Sequence, residues 1–330
     1  MTPGETAAYK TRVLVYRPTS RKKFNGTVIV EWLNVSGGLD ASPDWTSAHT
    51  ELIRDGFAWM GVSAQYAGVE GGGGIINIVS LPLKTVNPAR YGSLVHPGDS
   101  FSYDIFSQAG QAIRHPMGTN PLGDLEVKKE IAAGDSQSAF RLVTYVDAVH
   151  PLAEVYDGIL LVTGGADLGN SPAAADIVIT SAPVPGIITC SRPINSGPQH
   201  FVLNAAFAAL DRWARTGKPP PRAPRLRVAA DPPRTITRDA RGNALGGIRS
   251  PQVDVPIAAF TGEQNGAIIC RLLGTTTLFD AATLTSLYPS HRAYVARFDK
   301  ATRNAVRAGF LLKPDAKLLK RWARGSNVGR

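Results

Sequence analysis

The chain has 330 residues, of which 43% are hydrophobic and 19% charged, which excludes disorder over its whole length and leaves room for one large α/β domain. No apolar run approaches the ~20 residues of a membrane-spanning helix, and the N-terminus lacks the basic and apolar regions of a secretory signal, so a cytoplasmic protein without a membrane partner is expected. The formal charge of +10 is uneven: residues 1–200 hold 14 Lys and Arg against 18 Asp and Glu, and residues 201–330 hold 22 against 8. The basic excess is scattered among prolines and helix faces with no zinc-finger, basic-zipper or RNA-recognition signature, so no nucleic-acid partner is expected. Cys190 and Cys270 exclude a disulfide-rich scaffold and a four-thiolate zinc site; they could form one bridge, but read rather as two buried free thiols.

Strand and helix signals alternate over the first 165 residues. The β-branched runs Val13–Tyr16 and Thr27–Trp32 flank a basic turn ending in Asn25-Gly26, a hairpin signal. Asp44 to Arg54 reads as a helix stopped by Gly56, with Trp45, Ala48 and Leu52 on one face, and Phe57–Ser63 as a third strand. A Gly-rich loop leads to a helix over Phe101–Ile113; Gly71–Gly74 lacks the Gly-Lys-Ser/Thr of a phosphate loop. Then come a strand over Glu130–Gly134, a helix over Ser138–Val149 stopped by Pro151, and a strand over Tyr156–Val162. This alternation predicts right-handed crossovers and a mostly parallel sheet with helices on both faces. Residues 164–199 offer two short apolar stretches, Ile177–Ile179 and Gly186–Thr189. Leu203, Ala206, Phe207, Leu210 and Trp213 mark a helix, residues 216–233 hold six prolines, and a small hairpin surrounds Gly242-Asn243. A helix runs from His291 to Gly309 behind the N-cap Ser290, and Lys313 to Arg330 reads as a solvated, partly frayed basic tail. The predicted division is a core over 1–215, a Pro-rich crossing over 216–234 and an extension packed on the core over 235–330.

Chemistry concentrates at Ile131–Phe140, where a strand of small and apolar residues runs through Gly134-Asp135-Ser136-Gln137-Ser138 directly into a helix. A nucleophilic serine on so tight a strand-to-helix turn needs small neighbours at −2 and +2, which Gly134 and Ser138 supply. The turn would expose the Ser136 hydroxyl and make the Gln137 N–H an oxyanion donor; an ordinary Ser-capped helix is the alternative. The segment Val30–Gly38 leaves a strand into a Gly-rich turn before the first helix, where the other oxyanion donor would sit, near Asn34 and Val35. Ser36, and His96 with Asp99, would line the substrate pocket. No His, Cys and carboxylate spacing points to a metal, and no cofactor is expected.

These segments, with Tyr91–Asp99, Phe101–Gly110 and Arg192–His200, resemble an α/β-hydrolase domain family of mostly uncharacterised bacterial proteins, over about Thr11 to Leu312. The resemblance implies the α/β-hydrolase fold, Ser136 as nucleophile and esterase-like cleavage of a small-molecule ester. In that family an acid-bearing strand and a Gly-Thr-Ala-His-type loop precede the Arg-Pro-Ile-Asn-like segment. Here residues 163–191 contain no His, and Asp167 and Asp176 are their only acids. The resemblance therefore implies a chain shortened at its N-terminus and in the acid/His region. His200, which follows Gly186–Cys190 and opens a helix, is the best remaining base in the order Ser, acid, His, with Asp176 as orienting acid. The alternative is a catalytically impaired remnant that at most binds ligands, because losing the base of a serine triad costs about 10⁶ in turnover. A third reading makes residues 201–330 a basic binding module.

Overall fold

The computed structural model describes residues 4–74, 76, 79–162, 190–230, 235–262, 266 and 268–330. The chain divides into two compact units, Met1–Gly164 and Gly165–Arg330.

The N-terminal unit is built on a five-stranded sheet in the order β1-β3-β2-β4-β5. Its strands are β1 (Val13–Tyr16), β2 (Thr27–Trp32), β3 (Ala58–Val62), β4 (Lys129–Asp135) and β5 (Gly158–Val162). Four of them run parallel, and β1 lies antiparallel on β3 with Val13 opposite Val62. The expected β1–β2 hairpin does not form. The Asn25-Gly26 turn instead hands the chain to β2, with Asn25 Oδ1 accepting the Thr27 N–H at 2.8 Å and Gly26 O accepting from Lys128. An inner parallel strand buried on both sides is a better home for Val-Ile-Val than a two-stranded ribbon.

Strand β2 shows how the sheet is covered. Val28, Val30 and Trp32 enter a core with Ile105, Phe106 and Ile113 of α2 (Ser102–Arg114) and Leu142 of α3 (Gln137–Thr144). On the alternate residues Glu31 accepts hydrogen bonds from the Asp44 and Trp45 amides, at the start of α1 (Pro43–Arg54), and from Trp59 Nε1. Thus α1 sits on one side and α2 with α3 on the other, the layering that period-2 runs of apolar residues demand. Tyr16, Trp45 and Trp59 stack on the α1 side, with centroids 4.6 and 5.0 Å apart for the Tyr16–Trp45 and Trp45–Trp59 pairs. Pro151 does not stop the third helix; a π-helical turn over Tyr145–Val149 relays α3 into a short turn at His150–Ala153, where Pro151 occupies the first turn and needs no amide partner.

The C-terminal unit is mainly helical. It comprises α4 (Gln199–Thr216), β6 (Ala258–Thr261), α5 (Ile268–Leu273), β7 (Thr275–Leu278), α6 (Ala281–Leu287), α7 (His291–Ala308) and α8 (Lys313–Gly325). Strands β6 and β7 pair antiparallel. The turn at Gly242-Asn243 forms as expected, with Arg238 bridged to Ala244. Phe201, Tyr294, Phe298, Ala305, Leu319 and Ala323 share one core. The basic tail is therefore not frayed: α8 is amphipathic and buries Asp315, Ala316, Leu319 and Ala323. The expectation of free thiols is also corrected. Cys190 and Cys270 form a disulfide, their Cα atoms 5.5 Å apart across 80 residues of sequence. Their sequence separation hid that α5 carries Cys270 back to Cys190. Among the described residues no helix is long and apolar enough to cross a membrane.

Candidate active site

Ser136 is the single residue between β4 and α3. Its backbone sits at φ 55°, ψ −115°, sparsely populated territory for a side chain-bearing residue and costing of order 1–3 kcal/mol. The strain is held in place by packing. A Cβ on Gly134 would lie 2.9 Å from Leu142 Cδ1 and 3.1 Å from Ser138 Cβ, so the strand end and the first helical turn touch through the small residues at −2 and +2. The Ser136 N–H donates to Val162 O at 2.8 Å, which ties the turn to β5, and the Ser136 O accepts from the Phe140 amide. Ser136 is half-buried, while Gly134, Asp135 and Ser138 around it are buried.

The loop after β2 is fastened to this turn by Asn34. Its Nδ2 donates to Asp135 O at 2.9 Å and its Oδ1 accepts the Ser36 N–H at 2.8 Å. Its own backbone pairs twice with Ala41, closing the loop at its base. The Val35 carbonyl accepts from Gly38, and among the described residues no group accepts a hydrogen bond from the Val35 N–H. The Ser36, Gly37 and Gly38 carbonyls accept from Ile76, Val79 and Leu81, so the Gly-rich turn is pinned from its far side as well. A Cβ on Gly38, at φ +83°, would fall 1.8 Å from Val79 O, so glycine is needed there.

Two fastenings escaped the sequence reading. Arg141 on α3 pairs with Asp99 Oδ2 at 2.8 Å, and Asp99 Oδ1 accepts the Tyr66 N–H at 2.8 Å, joining the helix behind Ser136 to the segments before α2. Their separation of 42 residues carries no periodic signal. His96 has both ring nitrogens engaged: Nδ1 accepts the Gly98 N–H at 3.2 Å, which assigns the proton to Nε2 and its donation to Ala64 O at 2.9 Å.

In the C-terminal unit His200 is the second residue of α4, buried, with its ring 3.6 Å from that of Phe201. The segment leading to it is threaded along β7. Thr276 N donates to Pro193 O, the Thr276 hydroxyl donates to Ile194 O and accepts the Ser196 N–H, and Asn195 Nδ2 donates to Thr261 O. The Arg192–His200 segment thus leads into α4 along β7, with Asn195 on the Thr261 carbonyl and Ser196 on the Thr276 hydroxyl, contacts that sequence alone did not reveal. Asp176 and Asp167, and the stretches Ile177–Ile179 and Gly186–Thr189, lie outside the described residues.

Two buried carboxylates stand apart from Ser136. Burial pushes Glu31 up to about 7 against the lowering effect of its hydrogen bonds from Trp45, Trp59 and Asp44. Burial also pushes Glu130 up to about 8, opposed by the Arg114 guanidinium 3.0 Å away and reinforced by Asp157. Glu130 is at the entry end of β4, whereas Ser136 follows its exit. A cavity of about 830 Å³ lined by Tyr9, Arg114, Glu154 and Asp157 opens at that entry end and is not the serine's pocket. Among the described residues no cluster of three or more His, Cys, Asp or Glu could hold a metal ion.

A mostly parallel sheet covered on both faces, with a strained serine at the exit of a central strand, defines the α/β-hydrolase class. A family model described as Alpha/beta hydrolase domain matches residues 1–185 and 170–321, and the chain belongs to that family. No curated protein and no solved structure matches the chain. The family suggests hydrolase activity.

Proposed function

We propose that the protein is a serine hydrolase acting on carboxylic esters, with Ser136 as its nucleophile. The observation that carries this reading is the backbone of Ser136, held at φ 55° between β4 and α3 by the Gly134–Ser138 contact. Strain of that kind needs a reason, and presenting a hydroxyl at a helix N-terminus is one. In this scheme Ser136 Oγ attacks the ester carbonyl carbon and its proton passes to a base. The oxyanion that develops is stabilised by the Gln137 N–H at the head of α3 and by the Val35 N–H, with Asn34 fixing that loop against the nucleophile turn. The tetrahedral intermediate collapses with loss of the alcohol, which takes up the proton, and water then releases the acid. The base is assigned from chain order alone to His200, with Asp176 as its orienting acid. Ser36 and His96 are the pocket residues, His96 acting by holding the 96–98 turn rather than by proton transfer, since both its nitrogens are committed.

Hydrolysis of p-nitrophenyl esters of graded acyl length tests the reading. Ser136→Ala is expected to lower kcat by about 10⁴-fold or more with the fold intact, and His200→Ala by a comparable factor. Activity surviving Ser136→Ala would overturn the assignment of the nucleophile. Turnover at the level of the Ser136→Ala variant in the unaltered protein would favour the impaired, ligand-binding reading.

A further inference from the structure

The antiparallel helices α7 and α8 carry ten Lys and Arg but two acids, Asp299 and Asp315. Both acids are committed elsewhere, and neither lines the cleft described below. Asp299 pairs with Arg324 at 3.1 Å, and buried Asp315 accepts from Asn204 Nδ2 at 3.0 Å. What remains is a cleft of about 440 Å³ walled by Arg303, Arg307, Lys313, Lys317 and Lys320, with no carboxylate in its lining. Among the described residues none of these five cations has an acidic partner; Arg307 donates to the side-chain Oδ1 of Asn304. The floor is apolar, formed by Val306 and buried Ala316.

Such a cleft is unfavourable when empty. Arg303 with Arg307 and Lys313 with Lys317 are like charges at i, i+4, the spacing that destabilises a helix. Lys313 is also the first residue of α8, where a cation opposes the helix dipole. A solvated basic face would interleave acids at these spacings; here the one such acid, Asp299 four residues before Arg303, pairs with Arg324 instead. A concave site of one sign focuses its field and concentrates counter-ions of the opposite sign.

We infer that the α7–α8 cleft binds a phosphate-bearing anion of two or more negative charges whose ester carbons rest on Val306 and Ala316. The anion would bring the two cationic walls together, and its source is a soluble phosphate ester or a phospholipid head group. The inference is independent of the hydrolase reading, since its residues take no part there.

Titration calorimetry of the full chain with inorganic tripolyphosphate, and flotation with phosphatidylcholine vesicles with and without phosphatidic acid, test it. Saturable binding of one tripolyphosphate is expected, weakened about tenfold or more in Arg303→Gln/Lys317→Gln/Lys320→Gln. A control variant, Arg222→Gln/Arg225→Gln/Arg227→Gln, removes the same charge from the Pro-rich segment and is expected to bind normally. Circular dichroism melting confirms that both variants fold; the cleft variant is expected to melt no lower than the parent. Binding to tripolyphosphate without flotation assigns a soluble ligand, and flotation that requires phosphatidic acid and the three cleft cations assigns a lipid head group. Equal loss in both variants, no binding to either probe, or affinity that saturates only with oligonucleotides of increasing length would overturn the inference.

Discussion

The two units of this chain solve the problem of charge in opposite ways. The N-terminal unit is mildly acidic, with 13 Lys and Arg against 16 Asp and Glu over residues 1–164, and it draws carboxylates inside. Glu31 and Glu130 are fully buried on the inner strands, each satisfied or opposed by groups of the sheet's own flanking elements. The C-terminal unit carries 23 Lys and Arg against 10 acids over residues 165–330; among its described residues no Lys or Arg is buried, and Asp299 and Asp315 serve structural contacts. The first unit spends its special geometry on one strained serine, the second on a cross-link between Cys190 and Cys270. The lesson is that rigidity in the first comes from a doubly covered sheet, and in the second from a covalent tie and one small helical core.

Reduction should break that comparison most sharply. Cys190→Ser/Cys270→Ser is expected to destabilise the C-terminal unit by about 2–4 kcal/mol, since the tie closes a long loop of the unfolded chain. Peptide-resolved hydrogen exchange would show faster exchange in α4, β6 and β7 and none added in β2–β4. Faster exchange spread evenly over both units would contradict the assignment of the disulfide's stabilisation to the C-terminal unit.

Acidity separates the units next. Glu31 and Glu130 have folded pKa values raised above the unfolded 4.5, so their folded forms bind more protons. The stability they contribute is full below about pH 4.5 and declines as pH rises toward about 7 and about 8. Among the described residues of the C-terminal unit the raised groups are Tyr288 and Tyr294, pushed up to about 12 by burial, and these do not titrate in that window. Exchange in β2–β4, corrected for its intrinsic pH dependence, is therefore expected to show at least about tenfold more protection at pH 5 than at pH 8.5, with α7 and α8 unaffected. Glu130→Gln should remove part of the difference; an unchanged profile would contradict the assignment to Glu130.

The smallest expected effect is the most informative about the serine. Ser136→Gly should raise the melting stability of the N-terminal unit by about 1 kcal/mol while abolishing its reactivity, because glycine adopts φ 55° without strain. Lower stability would mean that the turn is not strained as its backbone implies.

Much of the sheet was legible because its inner strands are near-continuous apolar, β-branched runs buried on both faces, as in Thr27–Trp32. The nucleophile turn was legible too, since Gly134 and Ser138 record a steric requirement at fixed offsets. What stayed hidden depended on partners distant in sequence. The Arg141–Asp99 pair, the Asn34 tie to Asp135 and the Cys190–Cys270 bridge have no local signature. Helix α8 was misread because its abundant Lys and Arg resemble a solvated tail, although Ala316, Leu319 and Ala323 follow the i, i+3, i+7 spacing of a buried stripe. Strand pairing of β1 was misread because Asn25-Gly26 is a hairpin signal that the sheet's interior overrode.

The central claim is an activated serine at position 136, and intact-mass spectrometry after treatment with a fluorophosphonate tests it most directly. One adduct per chain is expected, mapped to the peptide containing Ser136 and absent in Ser136→Ala. Folded protein that takes up no adduct, or an adduct mapped to another residue, would contradict it.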